Sequence, residues 1–595
     1  MIHYRIDVAS PQAHMFRVTV TIAQPAAEQR LSLPAWIPGS YLVREFARHL
    51  HGFDARQDQR VVPLQQLDKC TWLARCKGST ALSVTYQVYA FDSSVRAAFL
   101  DADRGFFNGT SVFLRVEGRE SEAHQAEIRV LPRGWEVVTA LEPFKVDSAG
   151  RGGYEAEGYD ELVDHPVMLG RFDGGASDNA GSGATHWRGE FLAGGVPHTV
   201  AVSGAAPSFD GERLLADTKR ICEAEIAFWH DRKQPPFRRY VFMLNAVDDG
   251  YGGLEHRAST ALVAARRDLP RAGAPSATGP LPDGYVTLLG LISHEYFHTW
   301  NVKRLRPAEF KRYDYTQENY TELLWFFEGF TSYYDDLFLK RCGLIDQARY
   351  LKLIGKTVNG VLGMPGRQVQ SVAQASFDAW VKYYRPDENT INATISYYTK
   401  GSLVAMAIDL TLRAEGKGNL DDVMRKLWRA SDGGPISEAD ILRELNAVAA
   451  RPMDKEIAAW VHGTGELPMQ PLLARAGVEW KVEAPTLAQR VGLRVGESAL
   501  TGVQVKGVLR DSAAEKAGLA AGDELLASNG WRLRRLDDAL MAMPADGRCE
   551  LLVSRDGRVF TLTLSAGEGA GVVALTTMEQ AAQPAQALRE AWLGG

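Results

Sequence analysis

The sequence predicts a multidomain α+β protein: an all-β, sandwich-like N-terminal domain, a mostly helical middle and a small β-rich domain near the C-terminus. Three observations carry this. Segments such as FRVTVTIA (16–23), ALSVTYQVYAF (81–91) and SVFLRV (111–116) alternate or cluster β-branched and aromatic residues between turn formers. From about 285 to 465 the pattern is mostly helical, and between 499 and 564 short strands return around glycine turns. A chain of 595 residues is too long for one core. The expected boundaries are 1–175 for the β domain, 176–475 for the helical domain, 476–570 for the small β domain and 571–595 for a loosely held tail or helix.

Within the first domain, PAWIPGSYLVREFARH (34–49) packs aromatic, Pro-Gly and charged residues together. It reads either as a structural loop or as a contributor to a nearby functional site. GGASDNAGSGATH (174–186) and RAGAPSATGPLPDG (271–284) read as loops. ERLLADTKRICEAEIAFWHD (212–231) has helical apolar spacing, and YVFMLNAV (240–247) reads as a buried strand.

Lys+Arg number 67 against Asp+Glu 73, a net charge of −6, which argues against a general nucleic-acid or membrane-surface binder. Five cysteines, odd in number and mostly far apart, argue for reduced thiols, although Cys70 and Cys76 are close enough to pair. No basic start with an apolar core opens the chain and no long apolar run follows, so a cytoplasmic location without a membrane span is expected.

The chemistry concentrates in YVTLLGLISHEYFHTWNVK (285–303). On a helix, His294 and His298 are one turn apart and aim both imidazoles at one point, as two nitrogen ligands of a zinc ion require. Glu295 projects about 100° away and is placed to take a proton from water without ligating. A catalytic zinc needs a third protein ligand. TELLWFFEGFTSYYDDLFLKR (321–341) reads as one helix with a central acid, Glu328, among Trp325, Phe326, Phe327 and Phe330. A carboxylate so placed is costly unless paired or metal-bound, so Glu328 is the expected third ligand. Glu322 and Asp335 stay open as alternatives, more in the manner of solvated or supporting carboxylates.

HEYFH followed by EGFTSYY (328–334) resembles the gluzincin metallopeptidases. Together with HEYFHTWNVKRLRP (294–307) and PAWIPGSYLVREFAR (34–48), it is similar to the glycyl aminopeptidase family. The resemblance implies a thermolysin-like catalytic domain, a C-terminal PDZ domain, one Zn2+ per chain, and release of N-terminal Gly or Ala from peptides with a free N-terminus. GGLEH (252–256) resembles the strand that binds the substrate's α-amine, which maps to Gly252, Gly253 and Glu255, with Leu254 and His256 departing from the pattern. A carboxylate beside the cleft would pair with an ammonium and reject internal peptide bonds. ISYYTKGSLVAMAIDL (395–410) resembles the segment carrying a transition-state tyrosine, which maps to Tyr398, with Tyr397 the fallback. AEKAGLAAGDELLASNG (514–530) has PDZ-like turn glycines and core leucines, and Val491, Gly492 and Leu493 form the expected loop for a peptide C-terminus. An endopeptidase using the same metal chemistry, and a non-catalytic peptide-binding or chaperone-like protein, are the rival readings.

Overall fold

The computed structural model describes residues 1–172, 185–231, 234–273 and 280–594. Most of the expected loop 174–186 and the middle of 271–284 lie outside the described residues. The chain divides into two compact units.

The first unit contains Met1–Tyr320, Tyr334–Ile345 and Trp428–Ser437. Its N-terminal part is all β, as expected. Ile2–Ser10 and Met15–Ile22 form an antiparallel pair at the heart of an eight-stranded sheet. Met15–Ile22 pairs onward with Leu82–Tyr89, whose alternate residues Leu82, Val84, Tyr86 and Val88 are buried. That period-two burial is what the sequence alternation encoded. Two four-stranded sheets complete this part, around a core that includes Tyr4, Phe16, Phe107 and Tyr159.

The same unit carries a five-stranded mixed sheet made of His186–Ala193, Val196–Ser203, Tyr240–Val247, Ser259–Ala265 and Tyr251–Glu255. This sheet precedes the mostly helical stretch expected from about 285. The hairpin before the helix was not recognised, although Gly194 and Gly195 have φ of 55° and 77°, the left-handed geometry of a tight hairpin turn. Tyr240–Val247 is the buried strand expected, parallel to both neighbours. Tyr251–Glu255 is the edge strand, antiparallel to Ser259–Ala265 with Gly253 opposite Leu262 and Glu255 opposite Thr260. Helix Gly211–His230 starts at Asp210, whose side chain accepts from the Arg213 N–H, and stops at Asp231 with φ 49°. Helix Asp283–Phe297, which ends against His298, is apolar nearly all round and correspondingly buried.

The second unit contains Thr321–Tyr333, Asp346–Leu427 and Glu438 onward. The single helix read across 321–341 is broken at Glu328: Leu324–Phe327 precedes it and Gly329–Arg341 follows it. Near the C-terminus, Leu493–Ser498, Gly502–Val508, Glu524–Ser528, Arg548–Arg555 and Arg558–Ser565 form an antiparallel sheet around Leu493, Val503, Leu525, Leu551 and Val553. Val478–Glu483 and Val572–Thr577 instead pair with each other, and the latter is clamped by Asn359, which accepts from the Val573 N–H and donates to its carbonyl. The tail is therefore not loosely held. Helix Gln583–Gly594 buries Trp592 completely, and its indole N–H donates to the Tyr333 hydroxyl at 2.9 Å. All five cysteines are free thiols. Among the described residues, no helix is long and apolar enough to cross a membrane.

Candidate metal centre and peptidase site

The histidine helix places His294 in its last turn and His298 at its C-cap, so both rings leave the same face. Each ring is fixed from behind. Nδ1 of His294 lies 3.0 Å from Asp335 Oδ2, and Nδ1 of His298 lies 2.7 Å from the Asn301 carbonyl oxygen. Both partners are acceptors, so each Nδ1 carries the proton and each Nε2 keeps its lone pair. The two Nε2 atoms face one another at 3.0 Å. Two lone pairs directed at one locus repel unless a cation lies between them.

Glu328 completes the donor set. One ligand atom each from His294, His298 and Glu328 lie within 4.8 Å of one another. Two neutral imidazoles and one buried carboxylate fit a divalent first-row cation. Asp335 is a support for His294, as one of the open readings had it, and Glu322 is solvent-exposed. Burial pushes the Asp335 carboxyl up, opposed by the hydrogen bond to His294.

The turn after the helix makes the Asn301 contact. Val302 has φ 127°, an uncommon conformation for a β-branched residue, and its N–H donates to the Leu305 carbonyl at 2.8 Å. Strain of this kind costs on the order of 1–3 kcal/mol and is held only where the surroundings impose it.

Glu295 is 5 % exposed. Its carboxylate lies against the α-carbon of Gly253: a Cβ there would sit 2.1 Å from Oε1. Any side chain there would press on the Glu295 carboxylate and shift it. Glu255, two residues along the same strand, is also buried, and Gly39 approaches it so closely that a Cβ at Gly39 would lie 2.5 Å from Oε1. Gly39 has φ 91°. The 34–49 segment therefore reaches the carboxylate that the sequence marked for amine binding. Gly252 lies in open space: nothing stands within 4 Å of a Cβ there.

Tyr398 immediately precedes helix Thr399–Ala414 and stacks against Tyr397 and near Tyr383, with ring centroids at 4.8 and 5.4 Å. Burial, and secondarily the Glu328 charge, hold its phenol well above the usual range, so it remains a proton donor. Tyr397 is fully buried behind it. What brings Tyr398 to Glu328 is a crossing of two glycines: a Cβ on Gly329 would lie 2.6 Å from the Gly401 backbone, and one on Gly401 would lie 2.7 Å from the Trp325 carbonyl oxygen.

Sequence reasoning missed Gly39, Gly329, Gly401 and Glu225. Only close approach, invisible in one dimension, marks the glycines. Glu225 is fully buried, burial pushes its carboxyl well above the usual range, and it accepts a hydrogen bond from the Ser293 hydroxyl at 2.8 Å.

Val491 and Leu493 are buried in the small β domain, and Gly492 has φ 74°. The Gly492 N–H already donates to the Ala488 carbonyl at 2.9 Å.

Residues 3–171 match the Peptidase M61 N-terminal domain, 287–404 the M61 glycyl aminopeptidase domain and 479–545 the PDZ domain. A comparison with curated proteins finds no match. Among solved structures, the aminopeptidase N family protein from Idiomarina loihiensis is 34% identical, with a TM-score of 0.91 and 100% of both chains covered. A point mutant of an M1 zinc metallopeptidase from Deinococcus radiodurans is 14% identical, with a TM-score of 0.48, over 78% of this chain and 95% of that one. Full-length similarity to the first structure, joined to these domain matches and to the donor set on the histidine helix, establishes that the chain belongs to the M61 glycyl aminopeptidase family of metallopeptidases and carries a PDZ domain.

Proposed function

We propose that the protein is a zinc aminopeptidase that removes N-terminal residues, Gly and Ala preferred, from peptides with a free N-terminus. The observation that carries this is the convergence of His294, His298 and Glu328 beside a buried Glu295. Bound by these three residues, zinc would acidify a water and polarise the scissile carbonyl.

The remaining roles fall to the chain's own groups. Glu295 takes the proton from the attacking water and returns it to the leaving amine. Tyr398, held neutral, donates to the oxygen that gains negative charge. Glu255 pairs with the substrate's ammonium, which sets the length of chain on the amine side of the scissile bond at one residue. The preference for Gly follows the family description, and its extension to Ala rests on the sequence resemblance.

Glu295→Gln tests the base. Metal content should stay near one zinc per chain while kcat falls by about 10²–10⁴-fold, a range typical of lost general base catalysis. Retained turnover would remove Glu295 from the mechanism. The endopeptidase reading shares the metal chemistry but dispenses with Glu255. Free and N-acetylated peptides of one sequence separate the two: an aminopeptidase leaves the acetylated peptide intact, and cleavage of both at equal rates would sink the exopeptidase assignment.

A further inference from the structure

A cleft of about 570 Å3 lies in the first unit, away from the three metal-ligating residues, among residues of the N-terminal sheet and the segments around Phe237 and Arg257. Its size is that of a small-molecule site. None of the roles assigned above uses it.

Charges of both signs line it: Arg238, Arg239, Arg257 and Arg304, and Glu142, Glu155, Glu157 and Glu161. Arg304, in the turn after the histidine helix, donates to the carbonyl oxygens of Arg257, Thr299 and Pro236 at 2.9, 2.7 and 2.7 Å. These three bonds use three of the five guanidinium N–H donors, and no carboxylate bonds to the group among the described residues, although the Asp164 charge acts on it. Burial and the neighbouring Arg257 hold its pKa down to about 10. Arg257 is itself paired with Asp164 at 2.9 Å, a carboxylate that also holds Lys303 at 2.6 Å, and the Glu161 charge acts on Arg257 as well; the three cations Arg257, Lys303 and Arg304 thus meet two carboxylates. His165 lines the same cleft, is 5 % exposed, and its Nδ1 has no hydrogen-bond partner. The solvent-exposed lining holds the carboxylates Glu142, Glu155 and Glu157, of which Glu142 pairs with Arg239 at 3.3 Å. Arg238, also lining and exposed, makes no ion pair or hydrogen bond among the described residues.

We propose that this cleft binds a small zwitterion of the amino-acid or dipeptide class, with its carboxylate toward Arg304, Arg257 and Arg238 and its ammonium toward Glu155 and Glu157. An arginine cluster suits a carboxylate because the guanidinium offers paired donors in one plane. A simple anion would leave the acidic rim without a function. The inference stands apart from the aminopeptidase reading, since it uses none of the groups placed there.

The test is calorimetric titration of the full-length, zinc-loaded chain with alanine, ethylamine, N-acetylalanine and inorganic phosphate. It is run in the wild type and in Glu255→Gln, which removes ammonium anchoring at the peptidase site. Alanine should bind both proteins, at least tenfold more tightly than ethylamine or N-acetylalanine. Adding Arg238→Glu to Glu255→Gln should weaken alanine at least tenfold with an unchanged melting temperature. Arg238 is chosen over Arg304, whose loss would free three backbone carbonyls and risk the fold. Absence of alanine binding to Glu255→Gln overturns the site. Phosphate or N-acetylalanine binding as tightly as alanine reduces it to a plain anion site and overturns the zwitterion assignment.

Discussion

At the scale of single residues, the metal centre is as much a matter of what stands behind the ligands as of the ligands themselves. Asp335 holds His294 at 3.0 Å and so selects the tautomer that leaves Nε2 free. Asp335→Asn should lower metal affinity about 10–100-fold, the usual cost of losing such a support. Competition with a chromogenic chelator measures it, and an unchanged dissociation constant would show that the contact is incidental. Gly39 makes a second residue-scale prediction. Its φ of 91° strains any side chain, and a Cβ there would push on the Glu255 carboxylate. Gly39→Ala should raise KM for free-amine substrates about tenfold while kcat changes little, a loss of about 1.4 kcal/mol of amine binding. A fall in kcat alone, with KM intact, would separate Gly39 from amine recognition.

At the scale of elements, three close backbone passages align the chemistry. Strand Tyr251–Glu255 passes Glu295 at Gly253, segment 34–49 reaches Glu255 at Gly39, and helix Gly329–Arg341 crosses helix Thr399–Ala414 at Gly329 and Gly401. The last crossing lets Tyr398 stand beside Glu328. Gly401→Ala inserts a methyl 2.7 Å from the Trp325 carbonyl oxygen and 2.9 Å from the Gly329 α-carbon, and both are backbone atoms with little room to yield. The two helices must part, at a cost of about 1–3 kcal/mol. A lowered melting temperature together with a fall in kcat is expected. Wild-type stability in Gly401→Ala would show that the crossing tolerates a side chain.

At the scale of the whole molecule, buried histidines tie stability to pH. Burial lowers His198 to about 4 and His165 to about 3. His198 is fully buried, its Nδ1 on the Val196 carbonyl at 2.9 Å and its Nε2 on the Tyr296 hydroxyl at 2.8 Å. Between these folded values and the unfolded value of about 6.5, the unfolded chain binds protons that the folded chain refuses. Stability is therefore complete above about pH 6.5 and declines as pH falls toward 4. For His198 that difference corresponds to at most about 3.4 kcal/mol. His198→Gln should flatten the fall in melting temperature between pH 6.5 and 4.5, and an equally steep fall in the variant would assign the pH dependence elsewhere.

Much of the architecture was legible in one dimension because its signals are local. Alternating burial marked the strands at 16–22 and 82–89, and the i, i+4 spacing marked His294 and His298. The cost of a buried acid among aromatics singled out Glu328. The hairpin at 186–203, the break of the helix at Glu328 and the anchoring of Trp592 were not legible, because each depends on a partner distant in sequence. By itself, then, the sequence determined which residues could converge on a cation, since side-chain chemistry and helical spacing are written in order along the chain. Only the tertiary structure decided how those groups are held, by Asp335, Asn301, Gly39 and the Gly329–Gly401 crossing, because orientation and close approach arise when segments remote in the chain exclude one another in space.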